Sequence, residues 1–204
     1  MDGSATEITD RQSGIIPELS SVVFGNPNID HQDLRATAAA FISSGLAFKV
    51  YRAAQDDGRE LGGAALARPG GFSLVGLRWG AADGSEVKIP ELVGEDVSKA
   101  AFYVHSHNDA LSAGSLSVAP GPSKEDMDNS FKLQINQVVI DVEGYVYAID
   151  QRGDLLKSDG SVLPRATAIQ LSSRVDAAGR HDFYPSLENH ANALGRVRRQ
   201  TPNA

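Results

Sequence analysis

Apolar residues along the 204-residue chain fall into segments of two different periods. Leu34, Ala38, Phe41 and Ile42 recur at helical spacing. Asp30 in front of them suits an N-cap, with Asp33 in the first turn where the helix dipole favours an acid. Gly45 is a stop signal, and Leu46 to Ala54 fits either a continued helix or a short strand. Asp56-Asp57-Gly58 marks a turn. Glu60 to Ala67 reads as a strand of small residues, Arg68-Pro69-Gly70-Gly71 as a tight turn, and Phe72 to Trp79 as the hairpin partner. Paired glycines in this hairpin predict close backbone approach rather than a face of bulky side chains.

A polar loop follows Trp79, and Ala100 to Val104 is the next strand, running into His105-Ser106-His107. Residues 108–122 are rich in Ser, Ala and Gly and read as a long loop, a feature that is often functional inside a compact domain. Ser123, with Asp126 three residues on, has the form of a capping box and predicts a helix from Lys124 to about Leu133. Gln137 to Asp141, Glu143-Gly144 and Tyr145 to Asp150 form a strand, a turn and a strand, and a further turn leads into Leu155 to Lys157. Beyond Ser158 the chain is polar, with one helical piece predicted around Leu187 to Val197. The order predicts an α/β (α+β) domain around a mixed, largely antiparallel sheet flanked by helices. It divides into an arm (1–29), a domain (30–157) and a C-terminal extension (158–204).

Composition narrows the function. The chain is 41% hydrophobic, enough for a sizeable core. Its net charge of −7 argues against nucleic acid as a partner, and the one basic cluster, Arg196-Val197-Arg198-Arg199, reads as a solvated helix end. The absence of cysteine excludes disulfides, iron–sulfur clusters and thiol nucleophiles, so any metal must be held by nitrogen and oxygen. No apolar stretch is long enough for a membrane span, and the first residues lack the order of a secretory signal. The expectation is a cytoplasmic chain, or one exported by a specialised route without a signal peptide.

Alternate residues of a strand share a face, so His105 and His107 can aim two imidazoles at one point. A carboxylate from Asp126, at the start of the predicted helix, can reach the same point. Two histidines and one carboxylate leave a coordination position open, as catalytic zinc sites do. A His-x-His pair by itself is a weak signal. It gains weight from Glu60 upstream and Ser123 beside Asp126, although Glu60 alone would pass for a surface acid and Ser123 for a helix cap. Glu125 reads as solvated, Asp109 as a substitute ligand should the long loop fold back, and His31, His181 and His190 as scattered.

Taken together, Glu60-Leu61-Gly62-Gly63, His105-Ser106-His107 and Ser123-Lys124-Glu125-Asp126 resemble the JAMM motif of the MPN (JAB-type) metalloproteases. The match in order extends over about residues 30–157 and is nearest to the JAB-like domains of bacterial polymorphic-toxin and Rhs-type proteins. Two departures stand out. Eighteen residues separate His107 from Asp126, more than in the commonest form, and Asn108 replaces the proline that usually follows the second histidine. The extra length falls in the Ser/Gly/Ala loop, where insertion costs little. The resemblance implies an MPN-like fold and a Zn2+ held by His105, His107 and Asp126. It implies Glu60 as the acid that moves a proton and Ser123 as a hydrogen-bond donor to the oxyanion. The implied activity is hydrolysis of peptide or isopeptide bonds in a protein or peptide substrate, with an effector or toxin role. A non-catalytic MPN-like binding scaffold is the alternative, and a metal-dependent nuclease a third reading that the acidic charge disfavours.

Overall fold

The computed structural model describes residues 23–24, 33–80, 100–107, 121–172, 174–175, 181–182 and 190–197. Helix α1 (Leu34–Ser43) is capped by Asp33 rather than Asp30: the Asp33 side chain accepts from the N–H groups of Arg35 and Ala36. Those are donors that a first helical turn leaves without partners, and Asp33 is the acid directly before the first buried apolar residue, Leu34. Gly45, left-handed at φ 77°, separates α1 from α2 (Leu46–Asp57), so the ambiguous stretch is a helix.

Among the described residues, nine strands make the main sheet. Its central path is β1 (Val23–Phe24), β3 (Gly71–Trp79), β2 (Leu61–Arg68), β4 (Ala100–Ser106), β5 (Gln137–Ile140), β6 (Tyr145–Ile149), β7 (Leu155–Leu156) and β8 (Val162–Leu163). Every pairing is antiparallel except β4 with β5. Helix α3 (Lys124–Leu133) supplies the crossover that a parallel pair requires. With α4 (Arg165–Ser172) the domain is an α/β fold on a mixed, largely antiparallel sheet, as the apolar pattern predicted.

Alternation along the central strands divides the interior into two cores. Val138 and Ile140 of β5 and Val146 and Ala148 of β6 point to the α1–α2 side, with Phe41, Leu46 and Val50. Val139, Tyr147 and Ile149 point to the other side, with Met127 of α3 and Ala168 of α4. Phe41, Phe72 and Phe102 meet with ring centroids 5.2 to 5.9 Å apart, two of the three contacts edge-to-face, and this fixes β4 against α1. At Gly63 a Cβ would sit 2.9 Å from Leu77 Cδ2 and 3.0 Å from the Val75 carbonyl oxygen, beside a register shift in the β2–β3 ladder. This is the close approach that the glycine pair announced.

The sheet continues past Lys157 through β8, paired with β7, and through β11 (Gly195–Arg196), which lies antiparallel to β6. The helix expected around Leu187 to Val197 is therefore a strand at its C-terminal end, while residues 183–189 lie outside the described residues. Arg196 is not on a solvated helix end. Its guanidinium lies over the Tyr145 ring at 4.9 Å, because the outer edge of β6 offers backbone partners that the tail takes up. Strands β9 (Arg174–Val175) and β10 (His181–Asp182) pair with each other. Among the described residues no helix is long and apolar enough to cross a membrane.

Candidate metal centre

Val104 points into the α1–α2 core, so His105 and His107 face the opposite layer, where α3 lies. The Ser123 capping box sets Asp126 in the first turn of that helix, under the C-terminal end of β4. The three residues converge. His105 Nε2 lies 3.3 Å from His107 Nε2 and 3.1 Å from Asp126 Oδ1, and His107 Nε2 lies 3.5 Å from Asp126 Oδ2. One ligand atom from each residue lies within 4.8 Å of the other two, and all three residues are buried. They form a group that can hold a metal ion.

The fit can be tested on distances and charge. A tetrahedral ion with ligands at about 2.0–2.1 Å separates its ligand atoms by about 3.3 Å. The two closer contacts of His105 are already near that edge length. Charge points the same way. The Asp126 carboxylate is joined by Glu60 and Asp141, whose charges both act on His107. Three acids around two buried imidazoles leave negative charge that a dication neutralises.

Without an ion the cluster compensates through protons. Burial pushes the His107 imidazole down, but its hydrogen bond to Asp126 and the charges of Asp126, Glu60 and Asp141 outweigh this and hold it at about 9. Burial would raise the Asp126 carboxyl, yet His105 and His107 together hold it well below the usual carboxylate range. His107 Nδ1 has no hydrogen-bond partner among the described residues, so the ring is oriented by what meets Nε2.

His107 and Asp126 are held through their backbones as well. Gln55 near the end of α2 donates to the His107 carbonyl at 3.0 Å, and Ile140 O accepts from His107 N at 2.8 Å. Buried Gln137 donates to the Asp126 carbonyl and to Ser130 Oγ, both at 2.9 Å, and so clamps the first turn of α3 to β5. Asp141 is wholly buried and accepts from Gly121, Glu143, Tyr145 and Tyr147. Burial pushes its carboxyl up, against the pull of these donors.

Glu60 immediately precedes Leu61, whose partner in β4 is Ser106, so it stands beside His107 where the ladder ends. Its carbonyl accepts from Gly80 N at 2.7 Å, which closes that end of the β2–β3 hairpin. Ser123 lies at the site through its cap: its hydroxyl donates to Asp126 Oδ2 at 2.8 Å and accepts from Asp126 N at 3.1 Å. Glu125 is exposed. His190 is remote in role, stacked on Tyr145 with centroids 3.7 Å apart and 2.6 Å from Glu143 Oε2, an ion-pair contact without hydrogen-bond alignment. Asp109 and His31 lie outside the described residues, as does the side chain of His181.

Sequence reasoning did not single out Gln55, Gln137 or Asp141. One signal was present for two of them. Gln137, Val139 and Asp141 alternate, so they share the face on which His105 stands, and polar residues on a strand otherwise buried call for partners. Comparison with known proteins adds no relative: no protein-family model matches the chain, and no curated protein or solved structure gives a match.

Proposed function

We propose that the chain is a zinc-dependent hydrolase of peptide or isopeptide bonds, of the JAMM type. The observation that carries this reading is the convergence of His105, His107 and Asp126, with the Glu60 charge acting on the same imidazole. A buried set of three nitrogen and oxygen ligands suits catalytic zinc better than a structural site, which has four protein ligands. Zinc bound there supplies Lewis-acid chemistry, acidifying water and polarising a carbonyl.

The remaining work belongs to the chain. Glu60, at the end of the β2–β4 ladder beside His107, takes a proton from the attacking water and returns it to the leaving amine. Asp126 Oδ1 is the oxygen free of capping donors, since both Ser123 donors go to Oδ2. Ser123 first orients the ligand. Its hydroxyl reaches an oxyanion only by exchanging its bond to Asp126.

The test is zinc analysis of purified protein combined with Glu60→Gln. The reading expects about one zinc per chain in both proteins, and cleavage of a peptide or isopeptide panel by the wild type alone. Zinc without cleavage in either protein would point to a non-catalytic scaffold, and no zinc in the wild type would remove the metal centre.

A further inference from the structure

We propose that Asp141 is a positioning residue of the metal centre, acting as the anchor that sets Asp126 against the two histidines. The inference rests on the metal-centre reading above and deepens it.

The chain is tied to the sheet on both sides of the segment that joins β4 to α3. His107 ends the β4 segment, and Gly121 opens the stretch that leads through Ser123 into α3. Both are pinned to the same two-residue step at the end of β5. Ile140 O accepts from His107 N at 2.8 Å, and Asp141 Oδ2 accepts from Gly121 N at 3.1 Å. The ligand pair and the ligand carboxylate are thus referenced to one point of the sheet.

The side-chain type matters. Asp141 Oδ1 accepts from Glu143 N at 3.0 Å and Tyr145 N at 2.8 Å, the pattern of an Asx turn that closes the β5–β6 hairpin. An asparagine serves that turn equally well. What an asparagine cannot supply is the second acceptor oxygen. Oδ2 takes Gly121 N and, at 3.0 Å, the Tyr147 hydroxyl. A carboxylate with no exposed surface costs too much for a plain turn, but four donors compensate it. Outer residues that orient ligands in this way commonly change metal affinity by about 10- to 100-fold.

Asp141→Asn separates the two roles. The amide oxygen keeps the turn, while the amide nitrogen faces the Gly121 N–H, donor against donor. Tyr147→Phe removes one donor to Oδ2 and leaves Gly121 bonded, so it serves as the control. Zinc affinity is measured by competition with a chromophoric chelator, alongside circular dichroism and melting of the metal-free proteins. The proposal expects Asp141→Asn to keep the wild-type spectrum and lose about 10- to 100-fold in zinc affinity, with Tyr147→Phe within about threefold of wild type. A folded Asp141→Asn that binds zinc like the wild type overturns it, as does an equal loss in Tyr147→Phe. Should Asp141→Asn fail to fold, amide exchange in the wild type decides. A Gly121 amide protected without zinc and further slowed by it supports the anchor, and an unprotected one overturns it. A wild type that binds no zinc would instead remove the metal centre itself and this inference with it.

Discussion

Ser123 and Asp126 bond to each other in both directions. Asp126 N donates to Ser123 Oγ at 3.1 Å, while Ser123 N and Oγ donate to Asp126 Oδ2 at 2.6 and 2.8 Å. The device that starts α3 is therefore also the device that aims an oxygen of the candidate metal centre. Ser123→Ala is expected to destabilise the protein by about 1 kcal/mol through the lost cap. It is also expected to weaken zinc binding by roughly 10-fold, because the carboxylate is then oriented by one donor fewer. Ser123→Thr keeps both. Thermal melting and chelator competition on the three proteins check this.

His105 makes the two shortest contacts in the cluster, so it is the most informative ligand to remove. Wild-type protein with zinc at a hundredfold excess over its dissociation constant should gain about 2.7 kcal/mol of stability. In His105→Ala that gain should vanish. His190→Ala, whose ring meets Tyr145 and Glu143 instead, should keep it. Melting with and without zinc distinguishes the pair.

Acidity is expected to favour the metal-free fold through His107 and to disfavour zinc binding. His107 is held at about 9, above its ordinary value of 6.5. The folded state therefore binds that proton more tightly, and the stability it supplies is full below pH 6.5 and lost as pH rises through 9. Asp126, held well below 3.8, contributes above that value and loses its contribution as pH falls through its folded value. Zinc requires the neutral imidazole, so its affinity should rise with pH between 6.5 and about 9. Chelator-treated wild type should lose melting temperature over that interval, a loss that His107→Gln should not show. Zinc titrations across the interval should tighten.

Packing behind the site offers a check that is independent of metal. Phe41 has no exposed surface and touches the rings of Phe72 and Phe102. Phe41→Ala should cost about 3–5 kcal/mol. Gly63→Val should also destabilise, since even a single Cβ there meets Leu77 Cδ2 at 2.9 Å. Denaturant unfolding measures both.

Local devices were readable from the sequence where one short stretch determines them. The Ser123 box placed α3, strand alternation put His105 and His107 on one face, and Glu143-Gly144 placed the β5–β6 turn. What escaped depends on partners distant in the chain. Asp33 rather than Asp30 caps α1 because the cap must directly precede the buried Leu34, a matter of three residues that propensity does not resolve. Strand β11 holds two residues, and only the free edge of β6 makes it a strand. Asp141 announces a turn in the sequence, whereas its bond to Gly121, twenty positions earlier, exists only once the sheet has formed.

The tail deserves weight in any trimming of this protein. Leu194 N donates to Val146 O and Val197 N to Gly144 O, covering the part of the β6 edge that β7 leaves open. Proteolysis before residue 190 would strip those carbonyls and present a raw β-edge, for which a neighbouring molecule is the nearest replacement strand. That edge adjoins the turn closed by Asp141, so a cut some fifty residues downstream of the hairpin would be felt at the candidate metal centre as well as in solubility.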